Sequence, residues 1–432
     1  MPYPPFTEPL TLATLAAQLG SSDAVRLSPE AEQRMEVSYQ QHQSAANQFA
    51  DILANAPLLD AEQAQPAASL LLAYAVGTGA EVPATLVRRM LLLQAHSLSQ
   101  RQPGVALATV RRLLDFYNRE VWPVVYEQGA LGAGNDQIPL AHLALPLLGL
   151  GEVNYQGYRL AAADVLELFG WAPLALDAPE ARVLLGGNQF GLAYATEAVA
   201  RVEHLGRAGS AIGALAAAAG GAALAGPLGV GPAASAEALL LIHQAIEAAI
   251  RATATTELPP IFAAQVSASS NQSLSTALRQ LAHASAALGA LSAQRTTQLV
   301  AGQHGLPLHL AAEPAPGLRL WALPLAAASL VGHNQQLGAA AGVGPALPRA
   351  GVETATRRVV ENTEQLLGME LLAAAQALDL RHRAAPSATP TSPALAKVFA
   401  AFRAHVTFAA HDRLLAPDLH RAAQFVREFA WE

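Results

Sequence analysis

A single long helical pattern near the C-terminus restricts the folds open to this chain. Residues 352–383, VETATRRVVENTEQLLGMELLAAAQALDLRHR, contain no proline and one glycine. Their large apolar residues recur at helical spacing and form one stripe. The stripe consists of Val359, Leu366, Met369, Leu372 and Leu378. A helix this long needs apolar neighbours along its length, so the pattern predicts a central helix of a bundle.

The composition points to the same all-α class. Ala and Leu dominate, aromatic residues make up 5% and hydrophobic residues 52% of the chain. Ala and Leu have the highest helix propensities, and 432 residues of this hydrophobicity can bury a large core. Only 306–312 and 318–325 alternate like strands, and they do so weakly, so we predict loops or short helices there.

Further helices are predicted on both sides of this bundle. We expect a buried helix from 67 that ends at Gly77 or Gly79, and a second helix over 82–100. A third begins near 104 and ends at Pro123, and two C-terminal helices are separated near Pro417. We predict one helical body over 1–432 with three parts. They are an N-terminal part (1–200), a central long-helix bundle (201–383) and C-terminal helices (384–432) that follow a proline-rich linker.

Charge and residue usage exclude several classes of protein. A net charge of −7 disfavours nucleic-acid binding, and the absence of cysteine excludes disulfides and thiolate chemistry. The histidines have no metal-ligand spacing, so we expect no metal. Residues 208–236 lack charge but are mostly Ala and Gly, which predicts a buried small-residue helix rather than a membrane span. With no secretory signal at the N-terminus, we expect a cytoplasmic protein.

Residues 129–145, GALGAGNDQIPLAHLAL, carry the most specific motif. The segment resembles the cofactor-forming segment of the histidine and phenylalanine ammonia-lyases and their aminomutase relatives. The matching positions are Gly129, Gly132, Ala133, Asp136, Pro139, Leu140, Ala141 and His142. The stretches EARVLLGGNQF and VVENTEQLLGMELLAAAQALDLR are similar to further family motifs. The resemblance implies the helical ammonia-lyase/fumarase-like fold, a small-molecule substrate and a homotetramer.

The chain departs from this family where the cofactor forms. In the family, Ala-Ser-Gly cyclises to an electrophilic methylidene-imidazolone whose exocyclic carbon is the serine β-carbon. Here the tripeptide is Ala133-Gly134-Asn135, and glycine has no β-carbon, so we expect no cofactor. Gly186 and Leu258 replace family asparagines, and the segment that carries the carboxylate-binding arginine has no counterpart. We therefore do not expect ordinary aromatic ammonia elimination.

Several residues near the former cofactor are candidates for a changed site. Tyr39 and Tyr74 are the candidate catalytic hydroxyls, although each is also typical of an ordinary packed helix residue. The candidate substrate-binding residues are Asn135, Gln137, Asn188 and Gln189. We predict that Asp136 is a helix N-cap and that His142 packs against a neighbouring helix. Arg279, Arg295, Arg357 and Arg358 are expected to form salt bridges between subunits.

Two functions remain open. The first is cofactor-independent elimination, conjugate addition or cyclisation on a small amino-acid-derived or aryl substrate. The second is an inactive homologue that binds a small molecule or an active lyase partner. A cavity that keeps polar groups would favour the enzyme, whereas filling by residues such as Leu72, Ala73 and Leu258 would favour the inactive homologue.

Overall fold

The chain is predominantly helical, which confirms the predicted all-α class. The computed structural model describes residues 10–53, 66–100, 104–129, 136–220, 236–254, 260–302, 305–311, 319–340, 351–384 and 392–431. Helices in the first half of these ranges are α1 Leu12–Gly20, α2 Pro29–Leu53, α3 Ala67–Tyr74, α4 Ala84–Ser99, α5 Leu107–Asn118, α6 Gln137–Ala144, α7 Ala162–Leu168 and α8 Ala178–Leu185. The later helices are α9 Gln189–Gly220, α10 Ala236–Ala254, α11 Pro260–Val300, α12 Leu323–Ala340, α13 Val352–Ala384, α14 Pro393–His405 and α15 Ala416–Glu428.

Five short strands, which the sequence analysis did not predict, accompany the helices of the described ranges. Strand β1 Thr78–Glu81 pairs antiparallel with β3 Tyr126–Gln128. The other three, β2 Trp122–Pro123, β4 Glu152–Tyr155 and β5 Tyr158–Ala161, form an antiparallel sheet in the order β2-β4-β5. Gln156 and Gly157 join β4 to β5 with positive φ at both residues, the conformation of a two-residue hairpin turn.

Two compact units make up the chain. Unit 1 contains residues 1–197, 243–277 and 346–354, and unit 2 contains 198–242, 278–345 and 355–432. The predicted division at residues 200 and 383 stays a prediction.

In unit 1, the helices α3, α4 and α5 test the predicted boundaries. Helix α4 matches the prediction for 82–100, and it is buried continuously from Met90 to Ser99. The prediction for α3 is wrong, because the helix ends at Tyr74 and Leu72 is 51% exposed in this chain. Helix α5 ends at Asn118 rather than at Pro123, since Glu120 adopts a positive φ of 56° and the chain then enters β2.

Helix α13 confirms the long helical pattern. It runs from Val352 to Ala384, and its five stripe residues are all buried, with at most 7% exposure at Met369. Helix α11 lies alongside it, where Thr363 Oγ1 donates to the Ser285 carbonyl oxygen and Ser292 Oγ donates to the Leu366 carbonyl oxygen. These side-chain-to-backbone bonds connect the two helices at two levels along their length.

The remaining predictions in unit 2 also agree with the structure. Residues 208–220 lie in α9, with Ile212 and Ala216 fully buried, while 221–235 lie outside the described residues. A short 3₁₀ helix, Leu308–Leu310, falls in one of the weakly alternating segments. The last helix, α15, begins at Ala416 with Pro417 in its first turn.

Gly368 allows α13 and α15 to approach closely. An added β-carbon at this position would lie 2.8 Å from the backbone nitrogen of Ala423, and backbone cannot move as a flexible side chain does. We expect Gly368→Ala to lower the free energy of unfolding by about 1–3 kcal/mol. Gly332→Ala in α12 is the matched control, because no atom lies within 4 Å of its added β-carbon. The control should stabilise by about 0.5–1 kcal/mol, and equal urea midpoints for the two variants would contradict the close approach.

Candidate functional site

Asp136 directly precedes α6, at the predicted N-cap position, but its side chain does not cap that helix. Its carboxylate instead accepts a hydrogen bond from the backbone N–H of Gly191 at 3.1 Å, and Asp136 is only 2% exposed. Gly191 lies in the first turn of α9, where amides lack partners within the helix and the helix dipole favours a negative charge. The predicted capping role is therefore wrong in its target: Asp136 binds the N-terminus of another helix.

A second buried carboxylate approaches the same turn of α9. Glu353, in the first turn of α13, is 4% exposed, and its Oε2 has no hydrogen-bond partner among the described residues. The position of a β-carbon on Gly191 would lie 3.8 Å from Glu353 Oε1 and 3.9 Å from Asp136 Oδ2. Asp136 and Glu353, which we call the carboxylate pair, thus both lie close to Gly191, which has no side chain.

Burial changes the electrostatics of both carboxylates, and the charge of Glu353 also acts on Asp136. The pKa of Asp136 is raised to about 7, first by burial and next by the negative charge of Glu353, while hydrogen bonds from the Gly191 and Phe190 backbone amides oppose the rise. Burial also raises the pKa of Glu353. Within the described ranges, neither carboxylate has a salt-bridge partner. A carboxyl group with a pKa near neutrality can both accept and donate a proton at physiological pH.

Two of the predicted polar residues lie at the beginning of α9, next to this pair. Asn188 and Gln189 are 4% and 1% exposed, and Gln189 Oε1 finds no donor among the described residues. Gly187, with φ of +121°, lies against the side-chain amide of Gln189 where a β-carbon would overlap it. Gln137 follows Asp136 and is half-buried as the first residue of α6.

The former cofactor tripeptide, Ala133-Gly134-Asn135, lies outside the described residues, as does Leu258. The described chain resumes at Asp136, so the carboxylate pair includes the residue adjacent to candidate Asn135. On the N-terminal side of the tripeptide, Gly129 has φ of +136°, and an added β-carbon there would lie 2.5 Å from Ile138 Cγ2. This turn requires glycine and fixes where the segment leaves β3.

His142 has a structural role, as the sequence predicts, but it contacts a turn and a strand residue rather than a neighbouring helix. Its Nε2 accepts a hydrogen bond from the Gly77 backbone N–H at 3.0 Å, and its ring packs edge-on against Tyr126 at 5.1 Å between centroids. Burial lowers the pKa of His142, which agrees with a neutral ring that accepts this bond. The contact connects α6 to the turn between α3 and β1.

The two candidate tyrosines lie on other helices. Tyr39 is half-buried on α2, and its hydroxyl accepts a hydrogen bond from Gln43 Nε2 at 3.0 Å. Tyr74 is half-buried at the end of α3. Their catalytic roles stay predictions.

Glu353 is the site residue that sequence reasoning missed. An acidic residue in the first turn of a long helix is expected because it interacts favourably with the helix dipole. Nothing in the sequence therefore marked Glu353 as a site residue. Leu72 does not fill a cavity within this chain, because it is exposed.

The predicted intersubunit salt bridges of the four arginines stay a prediction, and three of these residues form ion pairs within the chain. Arg295 pairs with Glu370 within the chain, and Arg357 and Arg358 both pair with Glu361 along α13. Arg279 lines a cavity in unit 2. Arg295, Arg357 and Arg358 thus have partners within the chain.

In the part of the chain that the structure describes, no helix combines the length and apolar character needed to cross a bilayer. The same residues contain no cluster of three or more histidine, aspartate or glutamate side chains that could hold a metal ion.

Comparison with known proteins places the chain in a family. The sequence model of the family described as aromatic amino acid lyase matches residues 10–225 and 233–404. A histidine ammonia-lyase from Symbiobacterium thermophilum is 32% identical over 438 aligned positions, covering 88% of this chain and 85% of that enzyme. A histidine ammonia-lyase from Burkholderia mallei is also 32% identical, covering 84% of this chain and 83% of that enzyme.

Solved structures share the fold. Ergothionase from Treponema denticola superposes with a TM-score of 0.79 at 17% identity and covers 97% of both chains. Histidine ammonia-lyase from Trypanosoma cruzi superposes with a TM-score of 0.74 at 22% identity, covering 97% of this chain and 92% of that one. The match of the family model over most of the sequence and the shared fold lead to one conclusion: the chain belongs to the aromatic amino acid lyase family.

Proposed function

We propose that the chain is an enzyme that catalyses cofactor-independent lyase-type chemistry on a small amino-acid-derived or aryl substrate. The reaction class is an elimination, a conjugate addition or a cyclisation, and Asp136 transfers the proton. The observation that carries the proposal is the buried carboxylate pair, in which Asp136 has a pKa of about 7 and directly follows the segment where the family forms its cofactor.

The residues at 133–135 do not fit the family's methylidene-imidazolone. Gly134 occupies the position of the serine whose β-carbon becomes the methylidene, and glycine cannot supply that atom. No electrophile on the protein is therefore part of the proposed reaction, and the proton transfer depends on side chains of the chain itself.

In the carboxylate pair, Asp136 transfers the proton and Glu353 affects the pKa of Asp136. In its ionised form Asp136 takes a proton from a carbon next to a carbonyl group, the C–H electron pair forms the double bond, and the leaving group departs with its own bonding pair. An addition reverses these steps, and neutral Asp136 returns the proton to carbon. Burial, and then the charge of Glu353, raise the pKa of Asp136 to near neutrality, so both forms are available.

The beginning of α9 supplies groups that can hold a substrate. The side-chain amides of Asn188 and Gln189 are buried there, and the helix dipole adds positive potential at the same end. A substrate carbonyl or carboxylate would accept hydrogen bonds from these amides, which stabilises the negative charge that develops on oxygen when the neighbouring carbon loses its proton.

The proposal extends to assembly and location. The resemblance to the ammonia-lyases implies a homotetramer, and a cytoplasmic location agrees with the absence of cysteine. Size-exclusion chromatography with light scattering should give about four times the mass of one chain, and a monomer would contradict the tetramer.

A substrate panel tests the reaction class. Purified protein would be incubated with histidine, phenylalanine and tyrosine, with the matching arylacrylates plus ammonia, and with unsaturated amino-acid derivatives, followed by ultraviolet absorbance and mass spectrometry. We expect turnover of the unsaturated derivatives alone. Conversion of an ordinary amino acid to its arylacrylate would contradict a cofactor-independent reaction, and inactivity across the panel would favour the inactive, ligand-binding or partner-binding homologue.

Intact-protein mass spectrometry provides an independent control. Formation of the family's electrophile removes water from the tripeptide, so a modified chain would be lighter than its sequence mass. We expect the unmodified mass. A loss of water in the peptide that contains residues 133–135 would overturn the proposal even if the substrate panel agreed with it.

A further inference from the structure

A cavity in unit 2 lies between α11, α12 and α13, and the proposed reaction does not use it. Its volume is about 520 Å³, within the range of small-molecule sites and much larger than one water molecule needs. Small side chains on one face of α11 create the space. They are Ala282, Ala286, Ala287 and Ala290.

One wall of the cavity carries a buried hydrogen-bond donor without an acceptor. Asn334 lines the cavity and is only 3% exposed. Its Oδ1 accepts from Asn362 Nδ2 at 2.8 Å, and this Asn362 nitrogen also lies 3.2 Å from His333 Nδ1. The bond orients the Asn334 amide and leaves its Nδ2 without a hydrogen-bond acceptor in the described residues. Since a buried unpaired donor costs free energy, an acceptor within the cavity would stabilise this arrangement.

The charges around the cavity indicate what that acceptor is. Arg279 and His283 are the ionisable groups among its described lining residues, and no aspartate or glutamate joins them. Gln335 and Thr356 are further polar lining residues, and the rest of the wall is apolar and includes Val331, Leu337 and Val359. A guanidinium at a mostly apolar site favours an anion with an apolar body.

We propose that this cavity binds a small organic carboxylate with an apolar body. The carboxylate accepts a hydrogen bond from Asn334 Nδ2 and faces the guanidinium of Arg279, while the apolar body contacts the alanines of α11. The site shares no residue with the carboxylate pair.

Binding of two matched probes tests the site. Cyclohexylacetate and 2-cyclohexylethanol have the same apolar body, but only the first carries a carboxylate. Isothermal titration with the full-length protein should show saturable binding of cyclohexylacetate at least about tenfold tighter than binding of the alcohol. Equal affinities, or no saturable binding of the acid at millimolar concentration, would overturn the proposal.

Two variants on different helices test the position of the ligand. Asn334→Asp keeps an acceptor for Asn362 but replaces the free donor by a negative charge, so the acid should bind at least about tenfold more weakly. Ala287→Phe should abolish binding by filling the cavity. Gln280→Phe is the control, because it adds the same ring to the exposed face of α11 and should leave binding unchanged.

Circular dichroism shows whether each variant folds, and light scattering gives its oligomeric state. Folded Asn334→Asp and Ala287→Phe proteins that bind cyclohexylacetate like the wild type would overturn the proposal. So would an Ala287→Phe variant whose only change is its oligomeric state, because the cavity would then be an interface between copies. If Asn334→Asp does not fold, Ala287→Phe and the two probes still decide the outcome.

Discussion

Replacing Asp136 with Asn is expected to abolish turnover and, at the same time, to stabilise the fold at neutral and alkaline pH. Asparagine keeps an oxygen that can accept the Gly191 N–H, but it cannot transfer a proton and carries no charge. General acid–base catalysis commonly contributes about 10²–10⁴-fold to rate, so we expect a loss of that size in kcat. The substrate identified by the panel described above would be used for this measurement.

The stability effect follows from the sign of the pKa shift. The pKa of Asp136 is about 7 in the folded protein and 3.8 in the unfolded reference. Between these values the folded state binds more protons than the unfolded state, so wild-type stability falls as pH rises through this window. The shift of roughly three pH units corresponds to about 4 kcal/mol. Asp136→Asn should therefore match the wild type below about pH 4 and exceed it by up to that amount above about pH 7.

Urea unfolding at a series of pH values measures this difference. Asp177→Asn is the matched control, because Asp177 caps α8 by accepting the Glu180 N–H at 2.7 Å, and asparagine is an equally good N-cap residue. The control should show no comparable gain at high pH. An Asp136→Asn variant that remains active, or whose stability follows pH like the wild type, would show that Asp136 is not the proton-transferring group.

Glu353→Gln tests whether the second carboxylate affects the pKa of Asp136. Removing its negative charge leaves burial as the main cause that raises the pKa of Asp136, so that pKa should fall. The limb of the pH–rate profile that reports Asp136 should move to lower pH, with some activity retained. An unchanged profile would assign Glu353 a purely structural role.

The sequence predicts the elements that local residue patterns determine. Helix α13 has a continuous apolar stripe with no helix breaker, so its period alone gives its length within two residues at each end. The same holds for α4. Gly149 and Gly157 mark turns with positive φ, and the hairpin of β4 and β5 has a Gln-Gly turn signal that could have been read from the sequence.

The carboxylate pair depends on contacts between distant parts of the chain. The segment 129–145 drew attention to Asp136, but its hydrogen bond to Gly191 spans 55 positions and its neighbour Glu353 lies on another helix. An acidic residue before an apolar helix is typical of an N-cap, and only the packing of α9 against it shows a different partner. Burial, the main cause of the raised pKa, is likewise a property of the fold and not of the local sequence.

Breaking the buried ion pair between Arg295 and Glu370 should have a comparably large effect on stability. Arg295 on α11 and Glu370 on α13 are 7% and 0% exposed, and Arg295 Nη2 donates to Glu370 Oε2 at 3.0 Å. Burial raises the pKa of Glu370 even though the guanidinium opposes the rise. Arg295→Met leaves that carboxylate buried without its cation, so the free energy of unfolding should fall by about 3–5 kcal/mol.

A double-mutant cycle distinguishes this cost from lost packing. Arg295→Met combined with Glu370→Leu removes both charges, and it should recover most of the stability because apolar replacements of a buried pair are often neutral or better. Arg358→Met is the control, since Arg358 is 59% exposed beside Glu361 and should cost less than about 1 kcal/mol. The deficit of Arg295→Met should also shrink as pH falls, because protonation of Glu370 removes the unpaired charge. A double variant as unstable as Arg295→Met would show instead that the fold needs these side chains for their shape, because no buried charge would remain to explain the loss.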